Sequence, residues 1–481
     1  MIFYLGIGIT SLGFLMTFLS SRTRFALQVL FSVTVLNLLA LCWGVAIWDE
    51  SQSVYFFSKY FVSDATSRLF LILINAVMLG FTPYVINRVK TNQLTAGQMH
   101  IFVRFSLLFL VLCFICIFSN NLILMWMALE GTTLAVVPLI YHQRGASSLR
   151  ASWKYLVFST VGLSLTFFGM IALSHACHTQ FGAGSETFFL DELLQLKIQK
   201  NIWTDMAILF AVLGLGTKLG LAPMYTWLPD TYDHAPPSVT ALLAAVQFNC
   251  TTLMLFRLVP IFRNIDSSLL SDLLVSIGLL SILVAAINIV TTNNYKRLIA
   301  FASINHAGVI AMGLGIGKSA NYGVILYAVS NALVKAILFF TAGNIKAKFQ
   351  TKNMNELQGL IKDMPYSGWF FMIGIFALLG FAPFGSFIGE LMIMSSLLEQ
   401  GNWLVFVALC FLIVVTFVGT GRSVFPMIWG VPRLPLEQRG ESVFTLLPNL
   451  FYLFLLLSLG IYIPTIGNEV LQQVAERLGG Q

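Results

Sequence analysis

Residues 209–230 read LFAVLGLGTKLGLAPMYTWLPD. The run is apolar enough for a lipid bilayer, yet it carries Lys218 and, five residues later, Pro223. A charged side chain at the bilayer centre costs about 2.5–3.5 kcal/mol or more unless a partner or water meets it, so an intramembrane lysine is read as functional. Proline has no N–H and frees a carbonyl four residues earlier, which predicts a broken helix whose backbone can bind water or a proton carrier. This stretch therefore points to a chain that crosses a membrane and handles charge inside it.

Four other apolar runs repeat the pattern. Glu130 lies in MWMALEGTTL, His306 in FASINHAGVI, Lys335 in SNALVKAILFF and Glu390 in GSFIGELMIM. Acids, lysines and a histidine at membrane depth are most simply explained as movers of protons or ions. Burial opposes the charge on Lys218 and a nearby carboxylate favours it, which makes the group switchable. Glu130 is its natural partner, being the only acid in its own helix and the two that flank it. His306 follows Lys296 by ten residues, roughly 15 Å along a helix, and a neutral imidazole can pass protons between its two nitrogens. Lys335 lies too far from either helix end to snorkel. Glu390 is placed as an exit site. The competing reading for each is a static packing or ion-pair role.

Composition agrees. Hydrophobic residues make up 58% of the 481 and charged residues 10%, with mean hydropathy +0.85; a soluble domain carries roughly 25% charged residues. The net charge of +7 sits in short loops between apolar runs, so it does not imply a nucleic-acid partner. Cys113 and Cys116 form a CxxC inside an apolar run with no second pair in register, and no zinc, iron–sulfur or nucleotide-loop spacing occurs. The expectation is a chain with no cofactor or metal of its own. The first twenty residues lack a basic leader and cleavage site and are read as a span.

Hydropathy predicts an all-α polytopic membrane protein with about fourteen spans: 2–20, 26–48, 66–87, 99–118, 122–141, 153–175, 205–227, 237–258, 268–291, 298–316, 322–344, 366–398, 403–428 and 443–465. The seventh is interrupted at Pro223 and the twelfth at Pro383. Sixteen Lys and Arg fall in loops on the side of residues 21–25, and eight on the other. By the positive-inside bias both termini face the non-cytoplasmic side of an inner or plasma membrane.

LGLAPMYTWLPD (219–230) and LGFAPFGSFIGE (379–390) share an apolar–Gly–apolar–Ala–Pro core. Each comes late in a five-span block, and an odd number of spans inverts the second block relative to the first. Interrupted helices at matching positions of two halves point to a transport site. The division is 1–98, a three-helix segment; 99–262 and 263–428, two inverted five-helix transport repeats; and 429–481, a final helix and tail. Asp230 and His234, beyond the first break on the basic side, either relay protons at the mouth or cap the next helix. Residues 182–204 read as an external loop with one short helix.

The motifs WKYLVFSTVG, KLGLAPMYTWLPDTYDHAPPSVTALL, NNYKRLIAFASINHAG, NALVKAILFFTAGN and APFGSFIGE resemble the antiporter-like subunits of respiratory complex I, Mrp-type cation/proton antiporters and energy-converting hydrogenases. MWMALEGTTL followed by a WKY segment looks most like the hydrogenase-4 component F branch, related to formate hydrogenlyase. The resemblance covers about residues 100–400. It implies fourteen helices with two inverted repeats. It also implies a carboxylate–lysine pair at Glu130 and Lys218, a central axis through His306 and Lys335, and a terminal Glu390. Asn249 stands where the respiratory subunits usually have a lysine, and Asn331 where many members have histidine. An asparagine hydrogen-bonds but carries no proton.

The leading function is thus a proton-translocating subunit of a multi-subunit redox complex. Its iron–sulfur, nickel–iron or quinone sites are expected in partner subunits of a peripheral arm and of the membrane. A sodium/proton antiporter subunit and an ion-coupled partner of a non-redox, inorganic-carbon complex are the alternatives. A scaffold whose charges only hold helices together is the remaining one.

Overall fold

The computed structural model describes residues 2–20, 22–46, 53–90, 99–182, 187–432, 441 and 446–479. Arg433 and Arg439 of the charge count, the chain boundary at 98 and the expected span ends at 47–48 and 443–445 lie outside the described residues.

The first block holds α1 (Ile2–Met16), α2 (Thr23–Ala46) and α3 (Ala65–Lys90). A hairpin of β1 (Val54–Phe56) and β2 (Phe61–Ser63), in register Val54↔Ser63, joins the last two. Strands of three residues leave no hydropathy pattern, and none was expected there. Next come α4 (Met99–Phe118), α5 (Leu122–Ile140), α6 (Ala146–Phe181), the short α7 (Leu190–Gln195), α8 (Ile202–Leu219) and α9 (Trp227–His234). Helix α10 (Pro237–Leu242) runs through a π turn at Leu243–Gln247 into α11 (Phe248–Ile265). The second half is α12 (Ser267–Thr291), α13 (Tyr295–Ile316), α14 (Ala320–Phe349), α15 (Leu360–Asp363), α16 (Pro365–Leu378), α17 (Gly385–Glu399) and α18 (Trp403–Trp429). It is followed by α19 (Leu446–Ile461) and α20 (Thr465–Leu478).

The protein is a multi-pass membrane protein. Among the described residues eleven helices are long and apolar enough to cross a membrane, or twelve if α19 and α20, bent by 71°, count as one. Three expected spans fall outside the eleven for physical reasons. Helix α1 stops at Met16, the second break divides 366–398 into two short pieces, and α19 has only 16 residues. Helix α20 lies across the others on α3, α11 and α14. It was not foreseen because its alternating polar and apolar residues carry no net hydropathy.

Side-chain caps start several helices. Asn121 accepts from the N–H groups of Ile123 and Leu124, and Asn294 from Lys296 and Arg297, supplying partners for the first orphan donors. Small residues then let backbones touch. A side chain on Gly278 would meet the Gly308 carbonyl at 2.7 Å, bringing α12 onto α13, and one on Gly323 would meet that of Gly389 at 2.8 Å, bringing α14 onto α17. Such close approach is what drives helix association where lipid is as apolar as leucine. The most apolar stretches of α10–α11, α13 and α14 are wholly buried, whereas α18 is mostly at the periphery.

Both breaks have one construction. Helices α8 and α16 end just before Gly220 and Gly380, whose φ values of +81° and +69° suit glycine. Ala222–Pro223 and Ala382–Pro383 follow, both cis. The freed backbone finds different partners at the two sites. At the first, the Trp227 indole donates to the Thr217 carbonyl at 2.9 Å, and the Ala222 N–H to the Ser281 hydroxyl at 2.9 Å. At the second, the Ser386 hydroxyl donates to the Ala377 carbonyl at 2.7 Å.

Candidate functional site

Lys218 sits in the last turn of α8, beside the first break, and is buried. Its ammonium donates to the Thr133 hydroxyl of α5 and, at 3.4 Å, to the Tyr155 hydroxyl of α6, whose ring it also faces at 5.2 Å. Tyr155 in turn donates to Gln247 Oε1 at 2.8 Å, and Gln247 Nε2 donates to the Thr132 hydroxyl at 3.2 Å. Four elements thus converge on one ammonium group through hydroxyls and an amide.

Glu130 does not form the expected direct ion pair with Lys218. Its Oε1 accepts from the Thr160 hydroxyl of α6 at 2.8 Å, and its Oε2 is buried with no hydrogen-bond partner. Glu130 and Thr133 are three residues apart on α5 and share a face, so the hydroxyl that receives Lys218 stands on the carboxylate's side.

The second half gathers Lys335, His306 and Asn331 around the middle of α13 and α14, all buried. Lys335 Nζ lies 4.0 Å from the centre of the Phe248 ring and makes no hydrogen bond among the described residues. His306 stacks on Tyr327, ring centres 5.2 Å apart. Among the described residues neither of its nitrogens meets a partner in full hydrogen-bond geometry, the Leu378 carbonyl at the end of α16 making only a looser contact. Among the same residues the Asn331 amide and the neighbouring Ser330 hydroxyl are also without partners. Glu390 is half-buried on α17 and folds back over Gly380: a side chain on that glycine would overlap its carboxylate.

The remaining expected positions sort differently. Asn249 donates to the Ala245 carbonyl of the π turn at 2.8 Å, and its Oδ1 has no partner among the described residues. Asp230 pairs with Lys154 at 2.5 Å and Arg297 at 2.7 Å, and His234 Nδ1 lies 2.9 Å from the Asp230 carbonyl. Neither caps α10, which begins at Pro236 with no side-chain cap. They belong to a charged cluster at one end of the bundle. There Asp233 meets Lys352 at 2.8 Å, and the buried Lys296 donates to the Asp233 and Ala235 carbonyls at 2.9 and 3.0 Å. At the opposite end Asp64 joins Arg257 at 3.2 Å and Arg477 of α20 at 2.6 Å. Burial pushes the Asp64 carboxyl up, but the two arginines and Ser67 outweigh it and hold it below the usual value.

Thr132, Thr133, Thr160 and Gln247 had not been singled out in the sequence. A hydroxyl or amide in an apolar run looks like a helix residue bonded to its own backbone, and only the cross-helix geometry distinguishes these four. Tyr155 stood inside the WKY motif.

The family model of the NADH:quinone oxidoreductase/Mrp antiporter transmembrane domain matches residues 119–416. The chain belongs to this family. It is 29% identical over 430 residues to a hydrogenase-4 component F homolog of Methylacidiphilum infernorum, covering 84% of this chain and 86% of the relative. It is 26% identical over 413 residues to NADH-quinone oxidoreductase subunit N of Hydrogenovibrio crunogenus, covering 83% and 82%. Its fold matches a chain of the archaeal membrane-bound sulfane sulfur reductase with TM-score 0.87 at 20% identity, over 100% of this chain and 97% of that one. The matched family segment takes in both breaks and Glu130, Lys218, His306, Lys335 and Glu390.

Proposed function

We propose that this antiporter-like chain translocates protons as one membrane subunit of a hetero-oligomeric, redox-driven complex of the hydrogenase-4 or complex I kind. The observation that carries the reading is the burial of Lys218, beside the first proline break, and of Lys335, in the middle of α14, with hydroxyls and an amide gathered around Lys218. Glu130 opens the path, Lys218, His306 and Lys335 hold protons along it, and Glu390 closes it. Asp230 and His234 act at the mouth within the charged cluster. Asn331 lines the path, and water bridges the gap that its amide cannot cross as a carrier.

On this reading α1, the second interrupted helix and α19 complete fourteen spans, and residues 99–262 and 263–428 form the two inverted repeats. Both termini then face the non-cytoplasmic side. Iron–sulfur, nickel–iron or quinone sites belong to partner subunits, and this chain answers their reactions through the Glu130–Lys218 interaction. Sodium exchange is the second reading, favoured by the antiporter members of the family. Two ammonium groups on the axis argue for protons, because a hard cation asks for oxygen ligands and a lysine offers it only repulsion.

The test is proton pumping by the assembled complex in sealed vesicles, comparing wild type with Lys218→Met and Glu130→Gln and checking assembly in parallel. Loss of pumping in assembled variants supports the reading. Normal pumping makes the buried charges structural.

A further inference from the structure

The π turn at Leu243–Gln247 is the one departure from α-helical winding in a segment that is buried throughout, and it lies between the two lysines. A π turn inserts an extra residue per turn and re-aims the side chains that follow, and such turns are frequent at functional sites. Here the last residue of the turn, Gln247, faces the Lys218 side, and the next, Phe248, lies against Lys335.

The hydrogen bonds around Gln247 have a fixed sense. Its Oε1 can only accept, so the Tyr155 hydroxyl must donate to it. A phenol that gives its proton to Gln247 has only lone pairs left for Lys218, whose ammonium donates to it. The other end of the amide is fixed as well, because Nε2 donates to Thr132, whose hydroxyl donates to the Leu129 carbonyl at 2.6 Å. The two ends of the amide meet α6 and α5, and a flip would cost Thr132 its bond to the Leu129 carbonyl, because its one hydroxyl proton would have to turn to Oε1.

We propose that Gln247 is a positioning residue for proton transfer in this chain: its clamped amide holds the Tyr155 hydroxyl so that it accepts from the Lys218 ammonium. The amide itself carries no proton. It sets which way the phenol points, and so whether Lys218 is held as ammonium or can pass its proton onward. Tyr155 is the group through which Gln247 acts. This inference rests on the proton-translocation reading above and deepens it.

The experiment uses the assembled complex in sealed vesicles and measures proton pumping against pH for Gln247→Leu, Gln247→Glu, Tyr155→Phe and the Gln247→Leu/Tyr155→Phe double variant. Lys218→Met serves as a control. The expected result is a tenfold or greater loss of pumping in Gln247→Leu. The pH of half-maximal pumping moves in opposite directions in the Leu and Glu variants. The double variant is no worse than Tyr155→Phe alone, since residues acting through one contact are not additive. If Gln247→Leu fails to assemble, the near-isosteric Gln247→Met takes its place with the same expectations. Wild-type pumping and pH profile in the Leu or Met variant, or fully additive losses in the double, overturn the proposal. If Lys218→Met also pumps normally, the translocation reading falls with it; if Lys218→Met is inactive, only the role of Gln247 falls.

Discussion

Lys218, in the last turn of α8, and Lys335, in the middle of α14, are buried in the two halves of the molecule but are seated in opposite ways. Lys218 has hydroxyl acceptors from two helices, and the network extends through Gln247 to a third. Lys335 has an aromatic face and no acceptor among the described residues, and among those residues the nearby Asn331 amide and Ser330 hydroxyl also lack partners. An unsatisfied buried polar group costs about 1–3 kcal/mol, more when charged. A cluster of them is sustained only where another polar group completes it, and a buried water with two to four partners does so. The first half is thus a protein-defined station for a charge. On the proposed function the second is a site that water completes. A path that needs both a holding position and a conducting one has reason to build its halves differently.

That contrast can be broken most forcefully at Thr133. Thr133→Val removes the closest acceptor of Lys218, and a hydrogen bond to a charged group is worth about 1.5–3 kcal/mol, so pumping should fall roughly 10- to 100-fold. The matching deletion in the second half, Ser330→Ala, removes a hydroxyl that has no partner and should leave stability unchanged. Equal effects of the two on pumping and thermal unfolding erase the distinction. A smaller and opposite pair of effects is expected from Asn331→Leu. Burying a hydrocarbon in place of two orphaned amide atoms should raise the unfolding midpoint, by the order of 1–3 kcal/mol, while pumping drops because the side chain excludes water. A stable variant that pumps normally denies that this region is hydrated.

Phe248→Leu sharpens the comparison further. It takes away a cation–π contact of about 0.5–2 kcal/mol and should reduce pumping by roughly 2- to 30-fold without touching the Lys218 network. The smallest effect near neutral pH belongs to Asp64, whose carboxylate is shared by Arg257 and Arg477. Its carboxyl is held below the ordinary 3.8. The stability it contributes is therefore complete above that value and is lost only as pH falls through the lowered one. Asp64→Asn should remove that acid-limb dependence of unfolding and leave the two lysine sites alone.

The apolar runs and both breaks were legible because hydropathy and proline act locally. Helix boundaries shifted where polar residues continue a helix: α6 begins at Ala146 and α14 ends at Phe349, beyond the apolar runs that signalled them. The ionisable residues were legible one at a time, since each stands out against its own helix. Their partners were not. Glu130 looked like the mate of Lys218 because charge is the visible property of a sequence, whereas Thr133 and Tyr155 reach that ammonium from helices 85 and 63 residues away. Asp230 could be read as a relay or a cap, and its two cationic partners, 76 and 67 residues distant, left no local mark. A π turn has no composition signal, so Gln247 stayed hidden behind the more conspicuous Asn249.

The central claim is that both halves serve one proton path. It is tested most directly by proton pumping in sealed vesicles containing the assembled complex with Lys335→Met as its only change. The account predicts an assembled complex that has lost pumping although the Lys218 network is intact. An assembled complex that pumps at the wild-type rate contradicts it.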